Sequence, residues 1–172
     1  LGEEPIPVPG KGEVRVRVAA AGVNPADMKA RQGKLREYGE LNFPARLGGD
    51  LSGIVDAIGE GVRGVKIGDR VAGFVFPFAN GTYGQYVVAP ESSLVSVPDA
   101  LDLADAAALP TGVLTGLQLV EIGIMPKPGD RVLVLGAGGS TGRAAVFACI
   151  EAGAAPIAGV RRSALDTVAD LG

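Results

Sequence analysis

Arg131-Val-Leu-Val-Leu-Gly-Ala-Gly-Gly-Ser-Thr-Gly-Arg143 runs from apolar residues into a glycine-rich turn and then into residues able to open a helix. Val132, Leu133, Val134 and Leu135 form a continuous apolar run, the pattern of a strand buried on both faces of a parallel sheet. Gly136, Gly139 and Gly142 follow at every third position. Glycine there permits the tight turn, lets backbone approach a phosphate and lets helix pack close on strand, while the N–H groups and dipole at the helix start attract the anion. The spacing departs from GxGxxG, and such a motif alone is weak. Its setting is stronger: a helix is expected from about Ser140 to Ala152, and a second short apolar strand, Pro156 to Val160, returns at the distance a βαβ unit requires. The stretch points to a nicotinamide dinucleotide held by Gly136, Gly138, Gly139, Ser140, Thr141 and Gly142. An ordinary Gly-rich turn is the competing reading. No Gly-Lys-Ser/Thr follows, which excludes a kinase-type phosphate loop.

Beyond the second strand the chain reads Arg161-Arg-Ser163. An NAD-specific unit places an acidic residue here for the ribose 2′-hydroxyl. No carboxylate appears before Asp166, which is better placed to complete a capping box with Ser163. Two guanidinium groups at this point suit the 2′-phosphate of NADPH. A pair of solvated surface charges is the alternative.

The 172 residues are 47% apolar and 20% charged, ordinary values for a soluble globular protein of one or two domains. Net charge is −3 with no block of like charges, so the basic footprint of a nucleic-acid binder is missing. The longest mainly apolar region, Leu103 to Met125, is interrupted by Asp105, Pro110 and Glu121, and no membrane helix is expected. The N-terminal residues lack the pattern of a signal peptide, which makes the cytoplasm the expected location. Cys149, the single cysteine, lies in the helix after the glycine turn, where it is expected to pack as a small hydrophobe. The complete absence of histidine removes the commonest general base and the imidazole metal ligand. Zinc catalysis is left without its usual ligands, and no metal site is expected.

Upstream, Pro5, Pro7 and Pro9 exclude helix and suggest an extended edge. Glu13 to Ala20 alternates strictly, placing Val14, Val16 and Val18 toward a core and Arg15 and Arg17 toward water. Pro25 to Gln32 reads as a short helix with Asn24 as its cap and Gly33 as its stop. Strands are expected over Leu51 to Ile58, Asp69 to Ala72, Tyr83 to Ala89 and Leu94 to Val97. After Pro98 the character becomes helical, with Asp102 capping a helix over Leu103 to Leu109 and a second helix from Thr111 to Ile122. The expected domains are therefore residues 1–98 and 99–172.

Several segments in fixed order, Gly12-Glu-Val-Arg-Val-Arg-Val18, Gly22-Val-Asn-Pro-Ala-Asp27, Gly48-Gly-Asp-Leu-Ser-Gly-Ile-Val55, Gly68-Asp-Arg-Val71 and the glycine turn, carry a family resemblance. The chain resembles the zinc-independent quinone oxidoreductases of the medium-chain dehydrogenase/reductase superfamily over nearly its whole length. Zinc-containing relatives have a cysteine shortly before the position of Asp27, a histidine where this chain has Gly48-Gly-Asp50, and a four-cysteine lobe after the Gly-Asp-Arg-Val element; none is present here. The resemblance implies an α/β fold, an N-terminal GroES-like β-domain followed by the first βαβ part of a Rossmann domain. It also implies strands before Leu1 and after Gly172, so truncation at both ends is expected. Without completion, one strand edge and the sheet faces would lie bare.

The same resemblance places Asn24 and Asp27 in the segment beneath the nicotinamide, Thr115 in a helix start facing the cofactor, and Tyr38 in the loop where relatives often have a substrate-site tyrosine. Each has a plainer alternative: capping for Asn24, a backbone hydrogen bond for Thr115, a packed or surface position for Tyr38. The implied function is an NADPH-dependent reductase of a small-molecule quinone or of a carbon–carbon double bond conjugated to a carbonyl, as a homodimer. The alternatives are an enoyl-thioester reductase of a synthase and a non-catalytic NADPH-binding protein.

Overall fold

The structure is a computed structural model that describes residues 2–39, 43, 45–76, 81–166, 168 and 169. Contacts divide it into two compact units, Leu1–Pro110 and Thr111–Gly172.

In the first unit the alternating segment forms β1 (Glu13–Ala21), at the heart of an antiparallel sheet with β2 (Asp50–Ile58), β3 (Arg70–Phe74), β4 (Tyr86–Pro90) and β5 (Leu94–Ser96), in the order β4-β1-β2-β3-β5. Val16 pairs with Val55 on one side and Val87 on the other, which brings β-branched side chains together on one face. Val14, Val16, Leu51, Val55, Val71 and Val87 make the core, all but completely buried. Each contributes about 1.5–3 kcal/mol by leaving water, as an upper bound. Arg15 does not simply face water as the alternation implies. Its guanidinium pairs with Asp56 (Nη2–Oδ2 2.6 Å), donates to the Pro7 carbonyl (3.0 Å) and lies over the Tyr86 ring. The pleat decides which face a residue takes, and its long side chain then finds partners on that face.

The expected division near Pro98 lies earlier than the division by contacts because of α2 (Leu103–Ala107). Asp102 caps this helix by accepting the Ala104 N–H (2.7 Å), and Ala106 packs with Ala72 and Val97. The Ser52 hydroxyl donates to the Leu103 carbonyl, tying the helix to the middle of the sheet. The helix is sequence-adjacent to the second unit but spends its apolar face on the first.

In the second unit α3 (Pro110–Gln118) is shorter than expected. It widens into a π-helical turn, Leu119–Ile124, with the Met125 N–H bonded to the Val120 carbonyl at 2.7 Å. Pro126 disfavours a helical Met125, so the chain leaves the helix there, with Met125 at φ 49°. Strand β6 (Arg131–Leu135), helix α4 (Ser140–Glu151) and parallel strand β7 (Ala155–Gly159) complete a βαβ unit. Val120, Val132, Val134, Val146 and Cys149 form its core, and burial pushes the Cys149 thiol above its ordinary pKa. The apolar run in β6 suggests burial on both faces, yet Leu133 and Leu135 are 60% and 78% exposed. Helix α4 covers one face of this two-stranded sheet; among the described residues the other carries no comparable layer.

One loop of the first unit has a pH-dependent tether. Glu91 accepts the N–H groups of Gly64 and Arg63, which hold its carboxyl below the usual glutamate range, with the Gly64 bond the larger cause. A depressed carboxyl stabilises the fold above its unfolded pKa of about 4.3 and loses that contribution as pH falls through the lower folded value. Wild type is therefore expected to melt above Glu91→Gln at neutral pH, with the gap closing below about pH 4. Melting curves from pH 7 to 3 check this; a gap independent of pH counts against it.

Candidate cofactor and catalytic sites

The second unit builds its site at the carboxyl ends of β6 and β7. Gly136 leaves β6 at φ 76°, a conformation that favours glycine, and its N–H donates to the Gly159 carbonyl (2.8 Å). The Gly139 N–H returns to Gly136 O (3.0 Å), and Gly139 stands as the N-cap of α4. A Cβ on Gly142 would collide with Gly136 O and come within 2.7 Å of Ala137 Cα, so only glycine lets the helix start this close to the strand end. The first intrahelical bond runs from Arg143 N–H to Gly139 O, leaving the N–H groups of Ser140, Thr141 and Gly142 without acceptors inside the helix. A cleft of about 550 Å³ opens beside the turn, lined by Gly136, Gly138, Gly139, Val160, Arg161 and Ala164 among others; Ser140, Thr141 and Gly142 are not among its lining residues. Nothing stands within 4 Å of the place a Cβ on Gly136 would occupy. The exposed turn, the helix-start N–H groups and the open space beside Gly136 fit a dinucleotide's pyrophosphate.

Of the other sequence-derived residues, Arg161 lines this cleft, whereas Arg162 and Ser163 form an exposed 3₁₀ turn, Arg162–Ala164, and are not among its lining residues. The expected Ser163-to-Asp166 capping box is replaced by that tighter turn. The Thr115 hydroxyl donates to the Thr111 carbonyl (2.6 Å), four residues back, which is the plainer of its two readings. Arg143 went unnoticed in the sequence. It lies in the first turn of α4, where the helix dipole disfavours a cation, and its Nε donates to Gly138 O (3.2 Å). A basic residue one turn into a glycine-led helix was the available signal.

In the first unit, α1 (Pro25–Arg31) begins at Asn24, as expected. The Asp27 carboxylate reaches back to the Asn24 N–H (2.8 Å), accepts the Gly48 N–H (3.0 Å) and is 4% exposed. The Asn24 amide donates to Asp50 Oδ2 (3.0 Å), and Asp50 is buried. Asn24 is thus more than a cap, since its side chain joins α1 to β2. Tyr38 lies in a 3₁₀ turn, Arg36–Tyr38, and is 65% exposed. The tyrosine that meets Asp27 is Tyr83, whose hydroxyl donates to Asp27 Oδ2 (3.0 Å). Burial first, then the bond to Asp27 and the charges of Asp27 and Asp50, push its pKa up to about 12. Tyr83 stands 56 positions from Asp27, so no local pattern could pair them. Among the described residues no three of Cys, His, Asp and Glu gather as metal ligands, and no helix is long and apolar enough to cross a membrane.

The family described as alcohol dehydrogenase GroES-like domain matches residues 10–99. The chain belongs to that family. It is 34% identical to the quinone oxidoreductase of Lama guanicoe over 140 residues, 81% of this chain and 41% of that protein. Its fold is similar to a solved alcohol dehydrogenase superfamily protein from Novosphingobium aromaticivorans, with TM-score 0.91, 34% identity, and coverage of 98% of this chain and 52% of that one. It is also similar to the CurK enoyl reductase, with TM-score 0.88, 28% identity, and coverage of 99% and 52%. The chain spans about half the length of these solved proteins. The GroES-like sheet of the first unit and the βαβ start of a Rossmann-type domain in the second are the medium-chain dehydrogenase/reductase architecture, with quinone oxidoreductases among the relatives.

Proposed function

We propose that this alcohol dehydrogenase-like protein is an NADPH-dependent reductase of quinones or of carbon–carbon double bonds conjugated to a carbonyl. The observation that carries the reading is the cleft that the glycine turn, through Gly136, Gly138 and Gly139, shares with Arg161 at the start of α4. The N–H groups at the start of α4 would hold the pyrophosphate, and Arg161 would take the 2′-phosphate. Bound NADPH supplies a hydride from nicotinamide C4. Asn24 serves the reacting end, where a donated hydrogen bond rather than a metal would stabilise the enolate or hydroquinone oxygen, and Asp27 serves it by holding the Asn24 main chain. One cysteine and no histidine support chemistry without zinc. Water or a tyrosine supplies the proton, Tyr38 being the tyrosine that the family resemblance offers.

An enoyl-thioester reductase is the second reading, favoured by the likeness to the CurK enoyl reductase. Following NADPH oxidation at 340 nm against quinones, enones and enoyl thioesters separates the two. Turnover of quinones or simple enones supports the first, and turnover confined to thioesters supports the second. Saturable NADPH binding with no oxidation across the panel leaves a non-catalytic binding protein.

A further inference from the structure

We propose that Tyr83 is a positioning residue of the catalytic site, acting through Asp27 on Asn24; the proposal rests on the reading that Asn24 serves the reacting end. Tyr83 is placed by backbone, not by chance packing. Its N–H donates to Leu47 O (3.0 Å), the Thr82 N–H to Gly48 O (3.2 Å), and the Gly84 N–H closes the turn on Thr82 O (2.9 Å). The two segments touch so closely that a Cβ on Gly48 would fall onto Thr82 Oγ1 and within 2.6 Å of the Tyr83 ring. The ring forms part of the wall of a cleft of about 1000 Å³ in the first unit, while its hydroxyl reaches Asp27 Oδ2 (3.0 Å) and, at a longer 3.3 Å, the Gly22 carbonyl.

There the hydroxyl meets a buried carboxylate that three elements share. Asp27 accepts from Tyr83, from the Gly48 N–H and from the Asn24 N–H, so one side chain ties the turn before β4, the loop before β2 and the entry of α1. A buried carboxylate depends on its donors, and losing one leaves the rest to reorganise. Asn24 is the residue at the end of this chain of bonds, with its amide already committed on one side to Asp50 (3.0 Å). Tyr83 and the Asn24 N–H share Asp27 Oδ2 while the Gly48 N–H holds Oδ1, so loss of the Tyr83 hydroxyl is felt on the oxygen that fixes the Asn24 main chain.

The test is Tyr83→Phe in the intact protein, assayed with NADPH and the fastest acceptor of the panel above. A hydrogen bond to a charged group is worth about a tenfold effect or more, so kcat should fall about tenfold while KM for NADPH, set mainly by the phosphate contacts, changes less than about twofold. Tyr83→Phe combined with Asp27→Asn should cost little more than the worse single change, as for residues acting through one another. Unchanged kcat in Tyr83→Phe, or losses that multiply in the double variant, overturns the proposal even if the melting temperature drops. Asn24→Ala separates the two levels. If it lowers kcat while Tyr83→Phe does not, only the role of Tyr83 falls; if Asn24→Ala leaves kcat intact, the assignment of Asn24 falls and the proposal with it.

Discussion

Gly142→Val should abolish dinucleotide binding and lower the melting temperature together. The Cβ would occupy the space of Gly136 O and approach Ala137 Cα to 2.7 Å, and both obstacles are backbone. No rotamer relieves such a clash, so α4 must back away from the end of β6. Overpacking of this kind costs about 1–3 kcal/mol in stability. The functional loss is larger, because the N–H groups of Ser140 to Gly142 bind an anion only while they stay aimed at one point. Gly139→Ala gives the contrast: its Cβ would meet only Gly136 O, at an ordinary 3.5 Å. That variant should keep its melting temperature and weaken NADPH binding by crowding the cradle. Calorimetric titration with NADPH and thermal melting of both variants read the two effects apart. Wild-type affinity in Gly142→Val would remove the glycine turn from the cofactor site.

Arg161→Ala should erase most of the preference for NADPH over NADH. Arg161 stands two residues past the end of β7 and lines the cleft beside the glycine turn, where a returning βαβ chain meets the adenosine ribose. A hydrogen bond to a charged partner contributes about 1.5–3 kcal/mol, which is roughly a 10- to 150-fold preference at 1.4 kcal/mol per tenfold. KM for NADPH should rise by that order while KM for NADH stays near wild type. Since Arg161 is exposed, rising ionic strength should also erode the preference. Arg162→Ala, outside the cleft lining, should change it much less. Equal use of both cofactors by wild type, or a full preference in Arg161→Ala, would make the pair solvated charge and nothing more.

The core of the first unit was legible because its signal is local. Alternation in Val14 to Val18 has the period of a strand and names its buried face, and β1 pairs as that pattern requires. The βαβ unit was legible for a related reason, since apolar run, glycine turn, helix and second run follow one another within about thirty residues, as such units do. Arg15 marks where that reasoning stops: alternation assigned its face, but the partner Asp56 lies 41 positions away. The end of α3 marks another, because Pro126 explains departure from the helix but not the wider turn before it.

The sequence alone therefore determined the order of elements, the faces of the strands and the place of the glycine turn, all set by periodicity and backbone freedom over neighbouring residues. Absence of histidine and the single cysteine likewise determined which chemistry lacks its ligands. Tertiary structure decided which side chains meet. It brought Tyr83 to Asp27, set Arg161 rather than Arg162 on the cleft, and turned the Asn24 amide to Asp50. Those choices depend on how loops far apart in the chain approach one another, and the glycines that allow the approach, Gly48 and Gly142, show their reason only once the opposing backbone is in place.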